Sequence, residues 1–363
     1  MKRIAVIANS VGSLLACLLV LVGVGTLLHP STAGAAERGV NMHPLWPQAD
    51  KDEVLRELDA ARAAGMGEVR IDIPWSLLQP EQRGRYDAAF LKRADRFFEA
   101  VASRGMRVTG VILESPCWAS SAPPDVKRDC SPGWFERGVT RYAPVNPKDF
   151  AKAASLVARR WAPTLNALEI WNEPDSTAFW RASDPIRAYV KLLRATYRPV
   201  KRAVPRIKVL AGSTAGSNVE FIAGMYKAGA KGKFDGLSIH PYNNDRHPLA
   251  RVPAADIRWS FVQGVPAIRD LMVAKGDARK RLWLTELGFS TCTASDLQCV
   301  TPQEQADFTA KTLLMADAWS YVAAVDIYNM RNLGTDGAAL EQNFGLLAAD
   351  FTPKPVYLAL QAL

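Results

Sequence analysis

Short β-rich runs alternate with amphipathic helical stretches along nearly all of the chain beyond residue 36, and this alternation restricts the fold more than any other feature. The predicted strands are Gly39–His43, Glu68–Ile73, Arg107–Leu113, Leu165–Trp171, Ile207–Ala211, Phe234–Ile239, Arg281–Leu287 and Ala323–Tyr328. Between and after them the spacing predicts helices over Asp50–Ala64, Asp87–Arg104, a stretch opened by Pro147, Pro185–Val204, Val219–Ala228, Pro253–Ala274, Thr301 to about Trp319, and Pro355 to the end. The second helix is the clearest: Phe90, Leu91, Ala94, Phe97, Phe98 and Val101 share one face, and Gly105 stops it. Parallel strands need such crossovers, so the pattern predicts an α/β protein with a parallel sheet. Eight strand–helix units in one chain of 363 residues fit a single-domain (β/α)8 TIM barrel over residues 36–363. A doubly wound open sheet is the main rival, but no G-x-G-x-x-G turn follows an early strand.

The first 35 residues stand apart. Lys2 and Arg3 precede an apolar run that is densest from Leu14 to Leu28, and Ala33-Gly34-Ala35 follows. Positive, apolar, then small is the layout of a secretory signal peptide, with cleavage expected after Ala35 or Ala36. An uncleaved anchor is the alternative, since Val11 to Leu28 nearly suffices to span a bilayer. A lipoprotein anchor on Cys17 fits poorly, because the chain beyond it stays apolar. The expected location is therefore secreted or extracellular. The net charge of +9 is spread without a block of like charges, which argues against a nucleic-acid partner. It is compatible with an attraction to acidic glycans, or with plain solubility.

Export makes cysteine usage informative. Cys117, Cys130, Cys292 and Cys299 allow three pairings, of which Cys117–Cys130 and Cys292–Cys299 are preferred because each would staple one loop. The spacings fit no zinc pattern, and no H-E-x-x-H is present, so no metal or other cofactor is expected. The first pair falls in a long Ser/Pro/Gly-rich stretch after the third strand, long enough to be a functional loop.

In a TIM barrel the chemistry sits at the C-terminal strand ends. The fourth strand ends in Trp171-Asn172-Glu173-Pro174 and the seventh in Leu284-Thr285-Glu286-Leu287-Gly288. Two carboxylates facing one cleft are what glycosidic bond hydrolysis requires, one protonating the leaving oxygen and the other attacking or activating water. Asn172 would suit a hydrogen bond to a neighbouring sugar hydroxyl.

With these two segments the sequence resembles the clan A glycoside hydrolases, retaining enzymes on a (β/α)8 barrel. The resemblance implies Glu173 as acid/base and Glu286 as nucleophile. Arg70, in Val69-Arg70-Ile71, resembles the strand-two arginine near the nucleophile. His240-Pro241-Tyr242 resembles the strand-six segment whose histidine and tyrosine line the site, the tyrosine bonding the nucleophile. Gly39-Val40-Asn41-Met42-His43 and Val69 to Trp75 look most like family 39, in particular its bacterial secreted members acting on exopolysaccharide. Family 5 comes next, although Leu113-Glu114-Ser115-Pro116 and Tyr328-Asn329-Met330-Arg331 depart from its usual strand-three and strand-eight ends.

The expected activity is thus hydrolysis of O-glycosidic bonds, β-linked, in a polysaccharide or oligosaccharide, with no obligate protein partner. Retention calls for carboxyl groups about 5–5.5 Å apart, inversion for roughly 6.5–9.5 Å. Trp46, Trp75, Trp118 and Trp180 follow the first four strands and offer indole faces for sugar rings; each could equally pack a loop onto the barrel. His43 could bind a sugar hydroxyl or be a satisfied structural histidine, and His247 would decorate a loop. A barrel that binds glycans without turnover, and a metal-dependent hydrolase or lyase, are the competing readings.

Overall fold

The computed structural model describes residues 35–295 and 298–363; the expected signal peptide, up to residue 34, lies outside the described residues. Eight parallel strands close into a barrel in sequence order: β1 (Glu37–Met42), β2 (Glu68–Pro74), β3 (Arg107–Leu113), β4 (Leu165–Ile170), β5 (Lys208–Ala215), β6 (Gly236–His240), β7 (Leu282–Leu287) and β8 (Val322–Ile327). β8 pairs with β1, which leaves no open edge, and the (β/α)8 expectation stands. The main crossover helices are α1 (Lys51–Ala63), α2 (Ala88–Ser103), α3 (Pro147–Arg160), α4 (Pro185–Ala203), α5 (Val219–Lys227), α6 (Phe261–Ala274), α7 (Pro302–Asp317) and α8 (Pro355–Gln361). No helix among the described residues is long and apolar enough to cross a membrane.

Local sequence explains the helix ends. Asp50 caps α1 by accepting from the Asp52 and Glu53 amides, and Gly65, at φ 80°, turns the chain away from it. Thr301 and Glu304 close a reciprocal capping box on α7. The apolar face foreseen for α2 is the one buried: Phe90, Ala94, Phe97, Phe98 and Val101 pack into the main core.

Alternation along β2 sorts two kinds of interior. Val69, Ile71 and Ile73 join the apolar layer between barrel and helices. Glu68 and Arg70 turn inward and bond across the lumen, Glu68 to Thr109 and Asn166, Arg70 to Asn41 and Glu169. Buried polar groups persist when they satisfy one another, and this lumen does so near its C-terminal end.

Most strand boundaries shift by one or two residues, and three differences have a clear physical cause. β4 stops at Ile170 rather than Trp171, because Trp171 adopts φ 71° and leaves the ladder. β5 runs on to Ala215 rather than stopping at Ala211, through a register shift beside Gly212 at φ 106° and Ser213 at φ 48°. The stretch from Pro253 is not one helix. A 3-10 turn over Ala254–Trp259 breaks at extended Ser260, and the Asn243 side chain accepts from the Phe261 amide where α6 begins.

Candidate active site

Of the expected residues, His43, Trp46, Asn172, Glu173, Tyr242 and Glu286 line one cavity of about 730 Å3 at the C-terminal strand ends. The chain reaches Glu173 through two left-handed residues, Trp171 (φ 71°) and Glu173 itself (φ 41°). Such backbone costs about 1–3 kcal/mol per residue outside glycine and persists only when the surroundings impose it. Here the Trp171 amide donates to Ile112 O and the Glu173 amide to Ser213 O, each at 2.9 Å, tying the turn to both neighbouring strands. The Trp171 indole is buried, donates to Phe179 O at 2.9 Å and packs edge-on against Trp180.

Arg70 organises the floor. It is 2% exposed and directs Nε to Glu169 (2.6 Å), Nη1 to Asn41 (2.8 Å) and Glu286 Oε1 (2.7 Å), and Nη2 to Asn172 (2.9 Å). Since Asn172 accepts from Arg70 through Oδ1, its Nδ2 is left to donate into the cavity that it lines. Burial pushes the Glu169 carboxyl up, but Arg70, His240 and hydrogen bonds outweigh it, so Glu169 titrates below the usual carboxylate range.

Glu286 receives a second donor on its other oxygen, the Tyr242 hydroxyl at 3.0 Å. Burial and the Glu286 charge push the Tyr242 phenol well up, which keeps its O–H as a donor. His240 is fully buried, with Nε2 3.1 Å from Ser213 Oγ and Nδ1 2.9 Å from Glu173 Oε1 and 3.5 Å from Glu286 Oε2. Burial pulls the imidazole down, yet the Glu286 charge and the bond to Glu173 prevail and raise it. One oxygen each of Glu173 and Glu286, with a His240 nitrogen, lie within 4.8 Å of one another. Three such donors form a conceivable cation site, but the Arg70 guanidinium already holds Glu286 Oε1 and sets positive charge against a metal ion.

His43 and Trp46 form one wall. Their rings stack at 4.0 Å, and both His43 Nδ1 (3.1 Å) and Trp46 Nε1 (3.0 Å) meet Asp72 Oδ2. Burial raises the Asp72 carboxyl, but the His43 hydrogen bond and charge overcome it and hold it low.

The other three tryptophans are corrected. Trp75 and Trp180 are 0% and 1% exposed and belong to the core, Trp75 donating to Gln79 Oε1 and Trp180 to Pro185 O. Trp118 stands edge-on behind Trp75 and donates to Gln79 O. None of the three lines the cavity, because strand-end indoles at these positions roll back onto the barrel. Beside Trp46 and Tyr242, the aromatic lining comes from Trp259, Phe135, Phe179, Tyr328 and Phe344. Phe135 and Phe179 are 47% and 39% exposed at the mouth, an unusual expense of apolar surface and the one signal that marks them out. Trp259 was hidden in a stretch that reads as helix. His247 sits in a loop, as expected, near Lys311 Nζ at 3.1 Å.

Glu114 also lines the cavity, bonded by Ser76 Oγ. Burial foremost, and nearby Asp72, push its carboxyl up to about 7 despite the Ser76 bond. With Asp72, Glu173, Glu286 and Glu341 the lining is rich in carboxyls and, among the described residues, contains no lysine or arginine.

Both local disulfides are present, Cys117–Cys130 and Cys292–Cys299. The first closes the long loop after β3 over a small cluster of Cys117, Ala122 and Val139, and this loop carries Phe135 to the cavity.

Solved structures share this architecture. A family 39 glycoside hydrolase from Bacteroides cellulosilyticus superposes with a TM-score of 0.72 at 24% identity, over 91% of this chain and 63% of that one. The fold is that of the family 39 and family 5 glycoside hydrolases. A monomeric β-xylosidase from Caulobacter crescentus matches at TM-score 0.62 and 19% identity, covering 91% and 68%. A family 5 subfamily 18 structure from Bifidobacterium longum matches at 0.63 and 16%, covering 90% and 78%. This chain thus spans under two thirds of the length of the Bacteroides protein. No family model and no curated protein matches the sequence.

Proposed function

We propose that this protein is a secreted retaining glycoside hydrolase that cleaves β-linked units of a polysaccharide or oligosaccharide by double displacement. The observation that carries it is the approach of Glu173 and Glu286, whose oxygens lie within 4.8 Å across one cavity at the C-terminal end of the barrel. That close approach of one oxygen from each supports retention, for which the carboxyl groups stand about 5–5.5 Å apart, over inversion, which calls for roughly 6.5–9.5 Å.

In this reading Glu286 attacks the anomeric carbon while Glu173 gives its proton to the leaving oxygen. Glu286 is aimed by Arg70 and Tyr242, and Asn172 Nδ2 meets a hydroxyl of the same sugar ring. Once the glycosyl ester has consumed the Glu286 charge, Glu173 takes a proton from the incoming water, which releases the sugar with its original anomeric configuration. His240, fixed by Ser213, positions the Glu173 carboxyl through both steps. Secretion rests on the positive, apolar and small-residue order of the first 35 residues.

The test is the anomer first released from a set of aryl β-glycosides, followed by NMR, together with mass analysis after a 2-fluoro glycosyl donor. A β-product and a glycosyl adduct on Glu286 support the reading. An α-product would mean inversion, and turnover abolished by a chelator would mean metal-dependent chemistry. Absence of hydrolysis and of an adduct on any donor tried would leave a glycan-binding barrel.

A further inference from the structure

Folding collects the charge that looks scattered along the chain. α4 carries six basic residues, Arg187, Lys191, Arg194, Arg198, Lys201 and Arg202, and no acid. α3, packed beside it, adds Lys148, Lys152, Arg159 and Arg160 against one acid, Asp149, which is buried and paired with Arg83. Ten cations and one acid give these two helices a net charge of +9, the value of the whole chain, so the remaining residues are neutral in sum. Helical spacing hides this in the sequence, because apolar residues stand between the charges.

Helix geometry turns that spacing into a stripe. Arg187, Lys191, Arg194, Arg198 and Arg202 recur every three or four residues, which sets them on one side of α4. All five are exposed, while Tyr189, Leu192, Leu193, Thr196 and Val200 on the opposite side are buried. With a rise of about 1.5 Å per residue, the stripe is about 22 Å long. Among the described residues, Arg187 meets Asp184 at 3.4 Å, whereas Lys191, Arg194, Arg198 and Arg202 have no ion-pair partner. Like charges one helical turn apart destabilise a helix. α1 avoids this by mixing Asp52, Glu53, Glu57 and Asp59 with Lys51, Arg56 and Arg62. On α4 the repulsion stands unrelieved, and a bound polyanion would offset it.

The surroundings narrow the partner. Neither α3 nor α4 exposes a large apolar side chain, so the face lacks both the wedge that enters a lipid surface and the aromatic platform on which unpaired bases stack. Successive cations stand about 4.5–6 Å apart along the axis, wider than the roughly 3.4 Å between phosphates of one DNA strand. A glycan with one carboxylate on each sugar ring spaces its charges a ring length apart and suits this interval. The stripe lies on the outer wall of the barrel, apart from the carboxyl-rich catalytic cavity. We propose that the outer face of α4, flanked by α3, anchors the protein to an anionic polysaccharide through Lys191, Arg194, Arg198 and Arg202. The choice of a polysaccharide among polyanions rests on the charge interval and on the proposed secretion; the attraction to a polyanion rests on neither.

Binding of the full chain, carried as Glu286→Gln so that no probe is cut, is measured on immobilised polygalacturonate, dextran of matched length, a DNA duplex and phosphatidylglycerol vesicles. Polygalacturonate should bind, should weaken about tenfold or more between about 50 and 200 mM salt, and should exceed the other three probes. Arg194→Glu combined with Arg198→Glu should weaken it about tenfold or more. Lys51→Glu combined with Arg62→Glu on α1 changes net charge equally and should weaken it less than about twofold. Thermal melts verify that both double variants fold. If polygalacturonate does not bind, if the two double variants weaken it equally, or if DNA or vesicles bind more tightly, the proposal is overturned. Aryl β-glycoside hydrolysis by the wild type is scored separately, so failure of the catalytic reading appears there and failure of the anchoring surface in the binding series.

Discussion

Nδ1 of His240 lies 2.9 Å from Oε1 of Glu173, and the same nitrogen is 3.5 Å from Glu286. One buried imidazole edge thus touches both carboxylates, and their separate roles can be read from substrates that differ in leaving group. Glu286→Ala should lower turnover by on the order of 10^3-fold or more on every substrate. Azide should restore it as an α-glycosyl azide. Glu173→Ala should spare the first step for activated aryl leaving groups, which need little protonation, and abolish it for alkyl ones. Rates on a graded series of leaving groups check this; equal losses across the series would contradict the assignment.

Arg70 is the keystone of charge in the lumen. Arg70→Met should destabilise the fold by about 3–5 kcal/mol in urea unfolding, since it leaves Glu169 buried without its cation. The Glu169 carboxyl is held below its ordinary range, with burial opposing and Arg70 prevailing. The stability that it contributes is therefore full above the unfolded carboxylate range and lost as pH falls through the folded value. Acid unfolding midpoints should show that loss in the wild type and a smaller one in a Glu169→Gln variant.

Asp326 behaves with the opposite sign. It is fully buried, neither carboxylate oxygen has a partner among the described residues, and burial with the nearby Glu68 pushes it well above its ordinary value. A raised carboxyl costs nothing below the unfolded pKa and destabilises progressively above it, up to the folded value. Asp326→Asn should consequently raise Tm, and by more at pH 8 than at pH 4. A Tm gain that did not grow with pH would rule the account out.

Glu114 changes charge near neutrality, its carboxyl being pushed up to about 7 by burial and by Asp72 against the Ser76 bond. As pH rises through that value the cavity gains a negative charge beside Asp72. KM for an aryl β-glycoside should shift between about pH 6 and 8 in the wild type and stay flat in Glu114→Gln. Michaelis profiles at half-unit pH steps would show it.

The proposed catalytic pair was legible because a strand end, an Asn-Glu dipeptide and a later lone glutamate are local signals, and barrel closure brings such strand ends together whatever the loops do. Arg70 and Tyr242 were legible for the same reason, each sitting on a strand or just beyond one. The tryptophans were not. An indole after a strand can lean over the mouth or fold back onto the barrel, and only the packing of Trp75 against Phe150, or of Trp180 against Trp171, decides between them.

The order of strands and helices, the helix caps, the two short cysteine loops and the chemical type of the two acids follow from sequence, since each depends on residues near one another in the chain. The lining of the cavity, the polar links of Arg70 to three other strand ends, the raised carboxyls of Glu114 and Asp326, and the orphan amide of Asn329 were settled only by tertiary structure. Each depends on desolvation and on charges brought together from distant strands, and neither quantity exists until the barrel has closed.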